Sequence, residues 1–521
     1  MCKMKINTIS FGFWCREDIV EYLHKNAALN IVKHFSHPQM SDIVTGATGN
    51  FNKGKKIYSR FHDAAVIQNF RYRMSPQMLK NFHAQYFDLF YANLGRSVEG
   101  RGGIVPYSET IHSFRWINNY IYNLFLSNNI QLVLFSHLPH EVVDTMAESM
   151  AHFLGIPVRI LETPPYTAGF FFSYNSSSEH GLYKHMKPVR EVNSSDLSTF
   201  VYNSDYLSDK NEWRDLLSSL SHKYLAARVH FSNPLMYANA VYHKRYQQNL
   251  ANMIQPESKI PDKFVYMPLH YQPEASTISY GDIMWEDQAF CIEELSQALP
   301  PEYVIVVKEH PVQHATWRPP LFFDRLAEIK NLMFVSPMLD SHSLVQKAAA
   351  LATISGTAGW EALNYGKPVI YFGYPNYREM PGVFKYTDDL DIDFVLNYKV
   401  DRKEVEKAIS NWLSCAYSGV IRGEVENPDE NLRITTGAIQ EVINEMNTTS
   451  PGWQYKVSAK IEELKVRTQL KEYVLPEGFT PPPLRKEFVI PKWLRGLNKL
   501  FWVIATRLYL KKKFKIKIRP F

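Results

Sequence analysis

Cysteine is scarce in this chain: Cys2, Cys15, Cys291 and Cys415 are the only four among 521 residues. They are scattered, with no CxxC pair, which speaks against a disulfide framework or a structural zinc site and fits a reducing compartment. Long apolar runs are missing too. No uninterrupted apolar stretch reaches about 18 residues, so no spanning helix is expected. Met1 to Ile9 lacks the apolar core of a secretory signal. There is no internal repeat and no low-complexity tract. Acidic residues are absent from one place, Lys492 to Phe521, where ten Lys or Arg stand alone. The whole chain carries a net charge of +6, so removing that +10 leaves the other residues at about −4. The positive charge is thus local, which opposes a general nucleic-acid-binding surface.

What is present suits a globular protein of two or three domains: 45% hydrophobic and 21% charged residues. Aromatics, at 14%, suit sugar stacking and equally suit plain core packing. The clearest order begins at Phe264. Strands are predicted at Phe264–Leu269, Tyr303–Lys308, Leu332–Val335, Leu351–Ile354 and Pro368–Phe372. Helical spacing separates most of them, at Met284–Leu299, Pro319–Ile329, Ser341–Ala348 and Ala358–Tyr365. Such alternation implies a parallel sheet covered on both faces, with ligands bound at the carboxyl ends of its strands. The N-terminal part is less regular. Strands at Ile6–Phe11, Leu29–Phe35, Gln131–Phe135 and Val158–Leu161, with helices at Ile111–Leu126 and Glu141–Leu154, suggest a second Rossmann-like unit. Residues 194 to 252 read as a helical link, and Pro476 to Pro491 as an extended proline-rich segment.

Three polar loops follow strands of the C-terminal sheet. Ser355-Gly356-Thr357 lies between a strand and a helix. Amides at such a helix start bind anions, the glycine lets a phosphate approach, and the two hydroxyls add donors. Glu361, one turn on, can accept from ribose hydroxyls. The plainer reading is a capped helix packed closely through small residues. Lys308-Glu309-His310-Pro311 follows the next strand; Lys308 and His310 can contact phosphate, and a histidine can protonate a leaving group. Otherwise it is a surface turn stopped by Pro311. The third loop, Leu269 to Thr277, holds His270, Gln272 and Glu274, candidates for the sugar, the acceptor or a catalytic carboxylate; a solvated loop explains it equally well.

In the N-terminal half, Ser136 to Glu141 follows a buried strand. His137, His140 and Glu141 there are candidates for acceptor binding or base catalysis, with Glu162 as a further one. The alternative is a helix start with Glu141 at the positive dipole end. Asp389, Asp391 and Asp393 have the acid-x-acid spacing of a divalent-metal site, but read as a solvated loop, so no metal is expected. In the tail, Trp493, Leu494, Leu497, Leu500, Phe501, Ile504 and Leu508 share one helical stripe. With the basic residues around them they form the pattern of an interfacial membrane helix, or else of a helix docked on the protein itself.

The loops YQPEAST (271–277) and VKEHP (307–311) and the block SGTAGWEALNYGKPVIYFG (355–373) resemble the capsule polysaccharide biosynthesis family, which includes Kdo transferases. PHEVVD at 139–144 adds a looser similarity. The resemblance implies a GT-B-like α/β fold, two Rossmann-like domains facing a cleft, with the donor on the C-terminal one. Transferases using CMP-activated acidic sugars carry a His-Pro motif and a downstream serine motif, which His310-Pro311 and Ser355 match. The expectation is therefore a metal-independent glycosyltransferase of bacterial capsule or surface polysaccharide synthesis. It would transfer a sugar, leaning to Kdo from a CMP-sugar, to a lipid-linked or glycan acceptor at the inner face of the cytoplasmic membrane, with no cofactor. Residues 1–255 would form the acceptor side and 256–445 the nucleotide-sugar side. Residues 446–521 would form an extended or helical tail whose 492–521 segment meets the membrane surface. Gln272, Lys308, His310, Pro311, Ser355, Gly356, Thr357 and Glu361 would bind the donor, and Glu274, His140 or Glu141 would serve catalysis. A nucleotide-sugar 2-epimerase and a non-catalytic export or assembly factor are the rival expectations.

Overall fold

The computed structural model describes residues 5–26, 29–35, 70–99, 107–164, 169–193, 245–246, 248–272, 274–311, 313, 318 and 321–470. The expected link at 194–252 lies mostly outside them, and the proline-rich segment and basic tail lie wholly outside.

The N-terminal sheet forms around β3 (Leu132–Phe135), whose four apolar residues are all buried. It pairs in parallel with β1 (Ile6–Phe11) and β4 (Val158–Glu162), and β1 pairs in parallel with β2 (Leu29–Phe35). Helix α1 (Glu17–Asn26) starts with two acidic residues and ends with two basic ones, complementing its dipole. Helices α2 (Pro76–Glu99) and α3 (Tyr107–Ser127) follow. Helix α4 (Val142–Leu154) stops at Gly155, where φ is +67° and the residue takes the left-handed form that glycine adopts without strain. Strand β5 (Phe170–Tyr174) adds to β4 in antiparallel register.

The C-terminal sheet is parallel throughout. Its order is β11 (Val383–Lys385), β10 (Val369–Tyr371), β9 (Ala350–Thr353), β6 (Phe264–Pro268), β7 (Val304–Lys308) and β8 (Leu332–Val335). The connecting helices are α5 (Gln288–Ala298), α6 (Phe322–Ala327), α7 (Ser341–Lys347) and α8 (Ala358–Asn364). Strand alternation buries Val265, Ile305 and Val307 on one face and Tyr266 and Val306 on the other. The chain runs from β6 outward to β8, then returns across β6 to β9. The carboxyl ends of β6 and β9 therefore flank a topological switch point, where neighbouring loops diverge to opposite faces and leave a crevice.

Beyond this sheet, Asp391 and Asp401 cap helices α9 (Ile392–Asn397) and α10 (Arg402–Ser414). Asp391 accepts a hydrogen bond from the Phe394 amide at 2.9 Å, in keeping with a loop acid that caps a helix. The chain then returns to the first half. Strand β12 (Tyr417–Ser418) pairs with β5, completing the order β12-β5-β4-β3-β1-β2. Helix α11 (Pro428–Thr449) packs on α1, and α12 (Trp453–Thr468) on α3. Tyr122 and Thr468 bond at 3.0 Å, and the Gln131 amide reaches the Ser458 hydroxyl at 2.9 Å. Residues from β12 through α12 thus pack with the N-terminal sheet, and the first, helical part of the expected 446–521 tail is packed against it. Their apolar faces have no other sheet to cover.

Trp412 on α10 joins the two halves. It is fully buried, stacked on Phe172 of the first sheet at 4.9 Å and 6.5 Å from Trp360 on α8 of the second half. Trp412→Ala should cost about 3–5 kcal/mol through lost burial and the cavity left behind. Chemical denaturation read by circular dichroism checks it; a loss below about 1 kcal/mol would mean the halves do not depend on this contact.

Candidate functional site

At the switch point, three loops meet around one imidazole. His270, two residues beyond β6, places Nδ1 3.3 Å from the Ser276 hydroxyl and Nε2 3.0 Å from the Thr353 hydroxyl at the end of β9. Ser276 spends its single hydroxyl proton on Glu274 Oε2 at 2.9 Å, so its oxygen accepts from His270 Nδ1–H. Nε2 then carries the lone pair and takes the Thr353 hydroxyl proton, while Thr353 Oγ1 accepts the Gly356 amide at 3.1 Å. The Ser355 hydroxyl donates to the Ser276 carbonyl at 2.6 Å. A continuous relay thus ties Glu274 to the Ser355-Gly356 turn. Burial is the main cause that holds His270 neutral, with a pKa lowered to about 3; the nearby His310 and Arg318 act in the same sense.

The 355–357 turn is drawn tight. A Cβ at Gly356 would stand 2.9 Å from Thr353 Oγ1 and 3.0 Å from the His270 ring, so only glycine fits without displacement. The Gly356 carbonyl accepts from the Tyr377 hydroxyl, whose ring occupies the space a side chain at Gly359 would need. Thr357 is exposed and half-buried Ser355 lies beside it, while the amides of Thr357 and Ala358 open α8 ahead of its first turn.

Beneath the loops lies a buried ion pair that the sequence pattern did not reveal. Arg318 Nη2 stands 2.6 Å from Glu309 Oε1, with both side chains 1% exposed. The same guanidinium donates to Gln272 Oε1 at 2.9 Å and to the His270 carbonyl at 3.1 Å. Tyr246 donates to Glu309 Oε2 at 3.0 Å. Arg318 therefore clamps the loops after β6 and β7 together. Glu309 in turn accepts the His310 amide at 2.7 Å, and the His310 ring packs 5.5 Å from Tyr271.

The expected donor residues divide accordingly. His310, Pro311, Ser355, Gly356 and Thr357 belong to the loops at this crevice. Gln272 is committed to the scaffold: its side-chain oxygen accepts from Gln288 and Arg318, and its amide donates to the Glu286 carbonyl at 3.0 Å. Lys308 points to the other face of the sheet, where Nζ donates to the Leu339 carbonyl at 2.9 Å and the Ser341 hydroxyl at 2.5 Å. Tyr266 lies on that face beside Ser341, and the Glu361 carboxylate is close enough to raise its pKa further after burial. Glu274 is exposed at the crevice. Thr353, Gln288 and Arg318 were not anticipated, because each acts through a partner in another element or loop.

The N-terminal sheet has its own switch point between β1 and β3, since β2 lies on the opposite side of β1 from β3. The loops there interlock: the Phe13 amide donates to the Ser136 hydroxyl at 2.5 Å, and Gly12 lies so close to Ser136 and His137 that no side chain fits, with φ at +85°. His137 Nε2 stands 3.0 Å from Asp144 Oδ2. Asp144 also accepts the His140 and Glu141 amides at 3.2 and 2.7 Å, so it locks the start of α4. Glu141 is the N-cap residue of that helix, and His140 is half-buried with Nδ1 2.7 Å from the Leu138 carbonyl. Glu162, ending β4, accepts the Leu138 amide at 3.0 Å, and burial raises its pKa against the opposing pull of Arg422. Arg422, which follows β12, lies 3.7 Å from Glu162 and over the Trp14 ring.

The halves touch through the loop after β10. His180 Nδ1 lies 3.0 Å from the Tyr374 carbonyl, and Glu379 accepts the Tyr183 and Lys184 amides at 2.6 and 2.8 Å. His180 is buried, and its pKa is lowered to about 3 chiefly by that burial. Both His180 and His270 thus have folded pKa values below the unfolded 6.5. Their contribution to stability is full above pH 6.5 and is lost as pH falls toward 3, at about 1.4 kcal/mol per pH unit for each group. Unfolding free energies measured from pH 7 to 5 should fall, and His270→Gln should flatten the slope. A slope unchanged in that variant would contradict a neutral buried imidazole.

Among solved structures, the chain is similar to the β-Kdo 2,7 transferase KpsC of Thermosulfurimonas dismutans. Identity is 14%, coverage 61% of this chain and 88% of that one, and the TM-score 0.29. UDP-GlcNAc 2-epimerase of Methanocaldococcus jannaschii is 13% identical over 78% of this chain and 99% of its own, at a TM-score of 0.22. HepE of Anabaena, with UDP and glucose, is 10% identical over 85% and 99%, at 0.25. TM-scores this low bring nothing to the assignment of the site. No curated protein matches the sequence. The family comparison is sharper: residues 202–417, which contain all three loops of the C-terminal crevice, match the model described as capsule polysaccharide biosynthesis protein.

Proposed function

We propose that the protein is a GT-B-like glycosyltransferase of capsule or surface polysaccharide synthesis, with its nucleotide-sugar donor held at the C-terminal switch point. One observation carries this reading: the loops ending β6, β7 and β9 converge on His270, and they present His310 and the Ser355-Gly356-Thr357 turn to one crevice. A donor phosphate there meets hydroxyls, an imidazole and the first amides of α8. These groups favour the charge that grows on a departing phosphate. Because His270 stays neutral and engaged on both nitrogens, it shapes the crevice, and His310 is the imidazole that faces the phosphate. A CMP-linked acidic sugar of the Kdo type is the donor we favour, on the His-Pro and serine match. The acceptor is a glycan or lipid-linked glycan, and the base that takes its proton is His140, Glu141 or Glu274. Of these, Glu274 already shares a hydrogen-bond relay with the donor turn.

Titrating the full chain with CMP-, UDP- and GDP-sugars by calorimetry tests the donor site. Saturable binding of a CMP-sugar, followed by transfer to a glycan acceptor, is the expected result. Epimerised UDP-sugar would convert the reading to an epimerase, and absence of all nucleotide binding would sink it. Among His140→Gln, Glu141→Gln and Glu274→Gln, the true base should lose about 10²–10⁴ in kcat with donor affinity kept.

The segment 492–521 would hold the enzyme at the inner face of the membrane, near a lipid-linked acceptor. No described helix is long and apolar enough to cross a membrane. Deleting 492–521 should abolish sedimentation with anionic vesicles; equal sedimentation of the truncated protein would refute the anchor.

A further inference from the structure

We propose that His137, His140 and Asp144 form a binding site for one divalent transition-metal ion, with zinc the best match, at the carboxyl end of β3. Their ligand atoms all lie within 4.8 Å of one another. Ligands on one tetrahedral ion, with bonds near 2.0–2.2 Å, stand about 3.3 Å apart. His137 Nε2 and Asp144 Oδ2, at 3.0 Å, already approach that spacing. Only half-buried His140 has to close in.

The surroundings favour an ion in three ways. His140 Nδ1 lies 2.7 Å from the Leu138 carbonyl, which can only accept, so Nδ1 carries the proton and Nε2 the lone pair. A backbone carbonyl on the far nitrogen is the usual second support of a metal-bound histidine, since it sets both tautomer and ring direction. Asp144 is oriented by three amides, those of His140, Glu141 and Thr145, so its carboxylate is placed before any ion arrives. The two imidazole rings meet at 77° with centroids 5.2 Å apart, and the Trp14 ring covers His137 at 5.4 Å. Two nitrogens and one carboxylate suit zinc or cobalt; magnesium and calcium demand more oxygen ligands. On binding, the ion takes the place of the hydrogen bond between His137 and Asp144.

Three protein ligands leave a fourth position for water or a substrate oxygen. In the proposed transfer, an acceptor hydroxyl in that position would lose its proton more readily, with Glu141 or Glu274 as the base, because a metal-bound His140 has no nitrogen left to accept it. This consequence rests on the glycosyltransferase reading; the binding of the ion does not.

Metal content provides the test, independently of activity. The full chain is stripped with chelator, reloaded with zinc or magnesium, passed through gel filtration and measured by mass spectrometry. The wild type should retain about one zinc per chain and no magnesium, and zinc should raise its unfolding temperature. Cobalt loading should give the visible bands of a four-coordinate site. His140→Ala should fall to background zinc while its circular dichroism stays unchanged; His140→Asn serves if the alanine variant is unfolded. A folded wild type that retains no zinc, or a folded variant that retains as much as the wild type, overturns the site. Failure to bind any nucleotide-sugar would leave these readings untouched.

Discussion

Arg318→Ala is expected to lower the unfolding free energy by about 3–5 kcal/mol, because it strands the Glu309 carboxylate in the interior. The ion pair is 1% exposed on both sides, so water cannot take the place of the guanidinium. Tyr246 remains as a donor to Glu309, which keeps the loss at the lower end of that range. The double change Arg318→Met with Glu309→Gln removes both charges and should recover more than half of the lost stability, since an amide costs far less to bury than a carboxylate. Equilibrium urea unfolding of the three proteins measures both effects. A single variant as stable as the wild type would mean that the pair is solvated after all. Donor binding should weaken in both variants, because Arg318 also holds the His270 carbonyl and Gln272, and with them the loop that leads to Glu274.

His310→Ala should reduce kcat by about 10²–10³ and change the donor dissociation constant far less. The reason is differential: positive hydrogen-bond character at the leaving phosphate matters most when its charge is growing, in the transition state. The fold should tolerate the change. The loop's anchors are the backbone amide of His310 on Glu309 and the Gln313 amide on the His310 carbonyl, and both survive loss of the ring. Steady-state kinetics with the donor varied separates the two parameters. An unchanged kcat would remove His310 from the chemistry and leave it a turn residue before Pro311.

Much of this was legible in residue order. Strands β1, β2 and β8 fall where the apolar runs place them, and β6, β7, β9 and β10 differ by a residue or two at their ends. Buried parallel strands are nearly continuous runs of β-branched and aromatic residues, and such runs announce themselves. The three polar loops were visible because each directly follows such a run. The family resemblance, drawn from residues 264 to 374, lies inside the 202–417 match. Strand β12 was not legible. It has two residues, and its partner β5 lies more than 240 positions away, so no local pattern encodes the pairing. Nor was the role of Arg318 visible, since it follows no strand and carries no motif.

The fates of Gln272 and Lys308 mark the same limit. Both stand in the right loops for a donor contact, and both are polar. Which way a side chain points depends on the pleat and on what lies opposite. Lys308 falls on the Tyr266 and Val306 side of the sheet and finds Ser341, while Gln272 meets Arg318 and Gln288.

Sequence alone, then, determined the chemistry available: two Rossmann-like halves, few cysteines, a basic tail, and His310 and Ser355-Gly356-Thr357 at strand ends. Short-range periodicity and turn chemistry suffice for that, because they act within a few residues. Tertiary structure decided the rest. It placed β6 beside β9 and so made the crevice, brought Arg318 to Glu309, returned α11 and α12 to the first sheet, and set His137, His140 and Asp144 around one point. Those outcomes depend on which buried polar groups find partners across the fold, and that is settled only when the sheets close.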